Sequence, residues 1–362
     1  MTRQTGPSPN AGTTVSHADA NAAAATADTA SDGFRDPDHH PPGSGNRYQP
    51  RPSHATPGNA EQRPARLSIR NELIGVLGTA RPRQWLKDIL VFAAPGAAGV
   101  LTHTTGLLRS IAAFIIFSAV ASGIYFVNDL FDIEADRLHP VKRRRPLPSG
   151  KLSVPVAIAA AVVLLAGGLA AATLMRPLLG LVMAVYIIIQ AAYSLHLKHQ
   201  PIYDLVTVAS GFVIRAIAGA VAAHVPVSEW FLIVTSFGSL MMVTGKRIAE
   251  HGDLGEDRGS HRATLALYSR EYLLVVLAVS AGGGMIGYAL WAFNLQHDSI
   301  APHHPLWCQL SIIPVLVGML RYAWLVDNGR GSHPERLVMS DRPLLLLGAI
   351  WIVLFALITY AH

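Results

Sequence analysis

The chain has 362 residues, 51% of them hydrophobic and 14% charged, with a formal net charge of +6 and a single cysteine, Cys308. Soluble domains carry about 25% charged residues, so this deficit and a positive mean hydropathy exclude an ordinary soluble domain. One cysteine excludes an intrachain disulfide framework and a cysteine-built metal cluster; in its apolar run Cys308 reads as a small packing residue.

Residues 1–65 are rich in Ala, Thr, Ser, Asn, Pro, Gly and His and nearly devoid of Leu, Ile and Val. Such a stretch cannot bury enough apolar surface to offset its ordering entropy, so a disordered extension is expected. It has no continuous apolar core and does not read as a secretory signal. The adjacent His39 and His40 read as part of a solvated tail rather than a metal site. Residues 66–362 are expected to form one all-α, polytopic membrane domain.

From about residue 87, apolar stretches alternate with polar connectors. A helix needs about 20 apolar residues to cross the hydrocarbon core. Nine candidate spans result, near 87–104, 107–128, 153–173, 177–196, 202–222, 228–247, 270–293, 306–326 and 342–361. The first, with Pro95 and Gly96 at its centre, is the least regular. The runs are continuous rather than alternating, which excludes a β-barrel. With nine spans, the connectors on one side carry 21 Lys and Arg, among them Arg81, Arg137, Lys142 to Arg145, Lys198, Lys246 and Arg270. The opposite connectors carry only Arg109 and Arg176. The positive-inside rule then puts the N-terminus in the cytoplasm and the C-terminus outside a plasma membrane.

Trp85 in "RPRQWLK" reads as an interfacial anchor, with Lys87 at the start of span one. The second span runs into "NDLFDIEADRLHPVKRRRPLPSG". At about 100° per residue, Asp129, Asp132 and Asp136 fall within a sector of about 60° on one helix face, and Glu134 is turned away. Three carboxylates on one face repel one another, and a cation relieves that repulsion. One or two carboxylates, with water and substrate phosphates completing the shell, describe a Mg2+ site. Asn128 can offer its amide to phosphate or metal, and the basic string including Lys142 and Arg143 is suited to holding phosphate. A solvated helix end is the alternative reading of the acids; a plain topology signal explains the arginines but not the carboxylate spacing.

Further on, "YSLHLKHQPIYDLVTVASGFVIRAIAGA" places Asp204 in the first turn of a helix after Pro201. Arg215, eleven residues on, shares its face with Gly211 between them, about 16 Å deeper. A charge at that depth is costly and must meet a cavity, a partner or a substrate; a structural ion pair is the alternative. Tyr193 and Lys198 flank the same turn. Lys246 and Arg247 end span six as "GKR", where membrane anchoring is the plainer reading.

The motif beginning at Asn128 resembles the NDxxDxxxD signature of the intramembrane UbiA-type prenyltransferases, including the basic loop after it, and the resemblance covers about residues 80–361. It implies nine helices around a central cavity capped on the cytoplasmic side, and Mg2+ as the cofactor that binds a diphosphate and assists its departure. Ring-prenylating members carry a second motif, DxxDxxxD, after span six. Here that place reads "GKRIAEHGDLGEDRG", where Asp253, Glu256 and Asp257 do not fit. The combination is similar to the branch that joins phosphoribosyl pyrophosphate to decaprenyl phosphate for cell-wall arabinan and arabinogalactan.

That resemblance implies Asp129 and Asp132 as the Mg2+ ligands, with Asp136 behind them or as a further ligand, and Asn128 on the donor. Gln84, Lys87, Tyr193, Lys198, Lys246 and Arg247 would bind phosphates, Asp204 ribose hydroxyls or a second metal, and Arg215 the donor or the lipid phosphate. The implied partners are the sugar donor, a polyprenyl phosphate and the bilayer; nucleic acid is not among them, and a homo-oligomer is left open. The rivals are a Mg2+-dependent aromatic or quinone prenyltransferase using a prenyl diphosphate and, from other classes, a transporter, for which the chain has no convincing internal repeat, and a structural scaffold, which leaves the carboxylate face unaccounted for.

Overall fold

The structure is a computed structural model that describes residues 69–253, 263–294, 305–331 and 334–360. The expected extension, with His39 and His40, lies outside the described residues, as do Glu256, Asp257, Arg258 and Arg262. Among the described residues every regular element is helical.

The first helix, α1 (Ile69–Ala80), leads into a long 3-10 helix, Pro82–Phe92, a short α2 (Ala93–Ala97) and a 3-10 turn at Val100–Thr102. Next come α3 (Thr104–Phe131), α4 (Ile133–Leu138), α5 (Val154–Met175), α6 (Pro177–Leu195) and α7 (Tyr203–Ala223). The remainder holds α8 (Glu229–Asp253), α9 (Arg270–Asn294), α10 (Pro305–Leu310), α11 (Ile312–Asp327), α12 (Pro334–Ser340) and α13 (Arg342–Tyr360). Among the described residues, eight helices are long and apolar enough to cross a membrane: α3, α5, α6, α7, α8, α9, the joined α10–α11 stretch, and α13. They match eight of the nine expected spans. The expected first span near 87–104 forms no such helix: it is divided into the end of the 3-10 helix, the five-residue α2 that holds Pro95 and Gly96, and a 3-10 turn entered through the left-handed Gly99 (φ 73°).

Starts of helices follow the chain chemistry. Proline occupies the first turn of α5 and α6, where its missing N–H is no loss. The outer helices turn large apolar side chains outward, including Ile158, Val162 and Val163 on α5 and Leu181, Val185 and Ile188 on α6, as a lipid-facing surface requires. The two most enclosed spans are α3 and α7. One apolar cluster, with Phe117, Val120, Met183, Tyr186 and Ile214, joins α3, α6 and α7. Another, with Leu205, Met241, Leu273, Leu277 and Leu325, joins α7 to α8, α9 and α11. Helix α7 therefore belongs to both halves of the bundle.

The 3-10 segment packs on α3 and α7. Its seat on α7 is Gly219, where a Cβ would come within 1.7 Å of the Val91 carbonyl oxygen, an impossible approach. Backbone meets backbone there, and only glycine allows it. Helix α1, not foreseen in the sequence, leaves Ile69, Leu73, Ile74 and Leu77 exposed, a stripe that suits an interfacial helix. Gly219→Ala is expected to push the segment off α7 and to cost about 2 kcal/mol or more, the range for overpacked cores. A thermal melt in detergent measures it, and an unchanged melt would mean that the segment is not seated as described.

Candidate active site

Hydrogen bonds gather the C-termini of α3, α6 and α8 with the N-termini of α7 and α9 at one end of the bundle: Ser194 with Asn128, Tyr193 with Asp204, Arg247 with Asp204 and Ile202 with Tyr268. The acidic motif, Asp204 and Arg247 all lie at this end. Helix α3 stops at Phe131 and α4 starts at Ile133, with Asp132 between them (φ −94°, ψ 4°). The junction is a break flanked by i to i−4 bonds on either side, from Asp132 N–H to the Asn128 carbonyl (3.0 Å) and from Asp136 N–H to the Asp132 carbonyl (2.8 Å). Across it Asp129 and Asp136 are both buried, Asp132 is half-buried and Glu134 is exposed.

The buried acids meet cations from two loops. Arg81 Nη2 lies 2.5 Å from Asp129 Oδ1. Arg145 bridges the pair, its Nη1 lying 3.3 Å from Asp129 Oδ1 and 2.7 Å from Asp136 Oδ2, with Lys142 Nζ 3.8 Å from Asp136 Oδ1. The Arg81 guanidinium also stands over the Tyr125 ring, 4.8 Å from its centre. Arg143, from the same string, is exposed. Asn128 Oδ1 accepts from Ser194 Oγ at 2.7 Å, which ties α3 to α6.

A second charged group joins α6, α7 and α8. Arg247, buried, donates from Nε to Asp204 Oδ2 (2.9 Å) and from Nη1 to Glu250 Oε2 (2.6 Å). Tyr193 donates its hydroxyl to Asp204 Oδ1 at 3.0 Å. Lys246 is exposed, 3.7 Å from Glu250 Oε1, and Lys198 is half-buried. The turn before Asp204 is strained at Ile202, a β-branched residue with φ 68°, a conformation costing about 1–3 kcal/mol. Its N–H donates to the Tyr268 hydroxyl at 2.6 Å, and Thr264 Oγ1 donates to the Lys198 carbonyl at 2.5 Å. The segment before α9 thus clamps the turn that aims Asp204. Burial raises the Tyr268 hydroxyl's pKa, so it stays protonated at neutral pH.

Arg215 and Asp204 share a helix but not a partner. Arg215 Nε donates to Asp88 Oδ1 at 2.7 Å, its Nη1 to the Gly211 carbonyl at 2.7 Å and its Nη2 to the Tyr186 hydroxyl at 3.2 Å. Ser118 donates to the other Asp88 oxygen at 3.0 Å. The structure therefore puts Arg215 in a buried ion pair, away from the acidic motif. Asp88, the partner, was missed by sequence reasoning. A charge deep in a span demands a counter-charge, and Asp88 is the lone acid of the first apolar stretch, so the signal existed. Arg81 was read only as a topology charge, and Arg145 only as one member of a basic string suited to phosphate, not as the partner of Asp129 and Asp136. Trp85 is not a free interfacial anchor: its Nε1–H donates to Ser122 Oγ at 3.0 Å. Gln84 and Lys87 are half-buried on the 3-10 segment.

Among the described residues, no three His, Cys, Asp or Glu side chains converge as a preformed metal cage. A cavity of about 470 Å3, lined by Val100, His224, Trp230, Phe231 and Trp291 among others, lies at the opposite end of the bundle and brings no pair of charged groups together.

A helical membrane bundle with carboxylates and guanidiniums gathered at one end defines the class, and comparison with known proteins gives the family. The model of the UbiA prenyltransferase family matches residues 89–340, and the chain belongs to that family. It is 44% identical over 287 residues to a decaprenyl-phosphate phosphoribosyltransferase of Mycobacterium tuberculosis, covering 78% of this chain and 93% of that one. A decaprenyl-phosphate phosphoribosyltransferase of Corynebacterium glutamicum is 40% identical over 306 residues, covering 83% and 91%. The fold matches a UbiA homologue from Archaeoglobus fulgidus bound to DMAPP and Mg2+, with a TM-score of 0.59 at 19% identity over 78% of this chain and 98% of that one.

Arg247→Gln leaves Asp204 buried against a neutral partner and is expected to cost roughly 3 kcal/mol or more. Adding Asp204→Asn restores much of that loss, giving a coupling of about 1 kcal/mol or more in a double-mutant cycle. Additive losses in denaturant titrations would show the two groups to be energetically independent.

Proposed function

We propose that this chain transfers 5-phosphoribose from phosphoribosyl pyrophosphate to decaprenyl phosphate and releases pyrophosphate, at the end of the bundle where Asp129, Asp136 and Asp204 meet Arg81, Arg145 and Arg247. The observation that carries this reading is the 40–44% identity to phosphoribosyltransferases over about four-fifths of the chain, joined to that cluster. The rival prenyl-diphosphate reading lacks a second aspartate motif, and the transporter reading leaves the cluster without a role.

The residues present fit Mg2+. The two buried carboxylates already share a cation, Arg145, so hard oxygen donors and a demand for positive charge coincide. When Arg81 and Arg145 turn to an incoming pyrophosphate, the buried carboxylates they leave need another cation, which a divalent ion would supply. Asp129 and Asp132 are the proposed ligands, with Asp136 setting Arg145 behind them. Bound there, Mg2+ would neutralise the leaving oxygens as pyrophosphate departs from C1 of the ribose.

The protein's own groups position and polarise. Arg81 and Arg145 are about one-third exposed, so they can turn from carboxylate to phosphate when a donor arrives. Asn128, set by Ser194, and Tyr193, set by Asp204, present polar atoms from α3 and α6 to the same space. Lys87, Gln84, Lys142, Arg143, Lys198 and Lys246 supply further donors around it. The acceptor phosphate is already ionised and needs no strong general base, so the work is charge stabilisation and orientation.

The topology completes the reading. Eleven 3-10 residues rise about 2.0 Å each and the five of α2 about 1.5 Å each, or about 30 Å together, the depth of the hydrocarbon core. Pro82–Ala97 is the proposed ninth crossing, which leaves the site and the N-terminus cytoplasmic, the C-terminus outside, and residues 1–65 as a separate extension. A reporter fused after His362 is expected to be active only outside the cell; a cytoplasmic signal would remove the ninth crossing.

Purified protein given Mg2+, phosphoribosyl pyrophosphate and a polyprenyl phosphate is expected to form the phosphoribosyl lipid. Asp129→Asn and Asp132→Asn should each lower turnover roughly 100-fold or more while extraction and folding hold. Turnover of a prenyl diphosphate with an aromatic acid, and none of the sugar donor, would overturn the reading.

A further inference from the structure

The Asp88–Arg215 pair lies too deep for the charged cluster and is held too firmly to be a spare ligand. On α7 it is eleven residues from Asp204, and Ser118, which holds Asp88, is eleven residues from Asp129 on α3. Both counts set the pair about 16 Å beneath the carboxylates, between the two most enclosed spans. Asp88 is 1% exposed and Arg215 6%.

We propose that this pair is a polar plug that determines donor specificity: it closes the interior beneath the donor to an isoprenoid tail carried by the donor, and leaves the space above it to a compact, polar transferred group. The proposal rests on the reading of the donor as a sugar diphosphate.

Three observations carry it. The first is rigidity. Both Asp88 oxygens and all three Arg215 nitrogens are bonded, and the guanidinium carbon lies 5.0, 5.5 and 5.6 Å from the ring centres of Phe117, Tyr186 and Phe212. The second is that the helix makes room for it. A Cβ at Gly211 would stand 3.3 Å from Arg215 Nη1 and 3.2 Å from Gln190 Nε2, so glycine spares the guanidinium a tight contact. The third is that stability alone does not ask for it. A buried ion pair is often replaced by apolar residues at no cost, and the surrounding cluster of Phe117, Tyr186 and Ile214 is otherwise apolar. An isoprenoid tail on a diphosphate held by the cations of the acid end escapes water along its donor's axis only by running inward between α3 and α7. There the tail would meet a desolvated ion pair whose hydrogen bonds it cannot replace.

Competition against phosphoribosyl pyrophosphate binding tests this, with Mg2+ present and three probes: pyrophosphate, dimethylallyl diphosphate and geranyl diphosphate. In an open apolar cavity each added CH2 strengthens binding, whereas the plugged parent is expected to hold all three within about 3-fold. In Asp88→Leu/Arg215→Leu, geranyl diphosphate should bind about 30-fold or more tighter than pyrophosphate. If that variant does not fold, Asp88→Asn/Arg215→Met carries the same expectation. A parent whose affinity already climbs with chain length, or a folded variant whose series stays flat, would overturn the plug. Turnover of phosphoribosyl pyrophosphate, measured alongside, separates the two failures. Sugar transfer with a climbing series removes only the plug, whereas prenyl transfer without sugar transfer removes the donor reading beneath it.

Discussion

Charge carried into a membrane bundle has to be answered inside the bundle, and this constraint organises the chain. Asp129 is met by Arg81, Asp88 by Arg215 and Asp204 by Arg247, each partner coming from a different element. Removing one member leaves the other buried and uncompensated, a loss of about 3–5 kcal/mol in typical buried pairs. The pairs therefore act as registration marks. They fix how far each helix sits along its neighbour, which the apolar contacts, being non-directional, do not.

Helix α7 carries two of the three pairs and stands in both apolar clusters. Its lower half reads Ala216, Ala218, Gly219, Ala220, Ala222 and Ala223, nearly all buried. Small side chains let neighbouring backbones approach, the usual device where no hydrophobic force drives helices together in lipid. The 3-10 segment exploits this at Gly219, and that contact places Asp88 against Arg215 and Arg81 beneath Asp129. Position at the acid end is thus set partly by a glycine on the far half of the same helix.

How much of this was legible depended on what the local pattern encodes. Eight spans followed from length and hydropathy, because lipid demands long apolar helices. The segment at 82–102 did not, since an eleven-residue 3-10 helix has no periodic signature and is stable only against α3 and α7. The common face of Asp129 and Asp136 was visible at helical spacing and survived the break at Asp132, where both carboxylates still meet the one Arg145 guanidinium. Who pairs with whom was not visible. Arg215 lies 127 positions from Asp88, and the spacing along its own helix named no partner for it. The basic string hid its own distinction: Arg145 turns inward between two acids while Arg143 stays in solvent, a difference made by a turn that His139 helps to shape through bonds from Val141 and Lys142 N–H.

The same charges behave differently with depth, and that gradient gives the site its order. Near the surface, Arg81 and Arg145 keep part of their hydration, so exchanging a carboxylate for a phosphate costs little and the attraction is softened by solvent. At the level of Arg247 the cation is buried but still flanked by the half-exposed Glu250, an intermediate case. At Arg215 hydration is gone, every bond is directed, and moving the guanidinium would mean stranding Asp88. Under the proposed reading, the exchangeable layer receives an anion, the intermediate layer holds the turn that carries Asp204, and the fixed layer sets how deep anything can go. A single rule, that a buried charge keeps its partner, yields a receptor at one depth and a barrier at another.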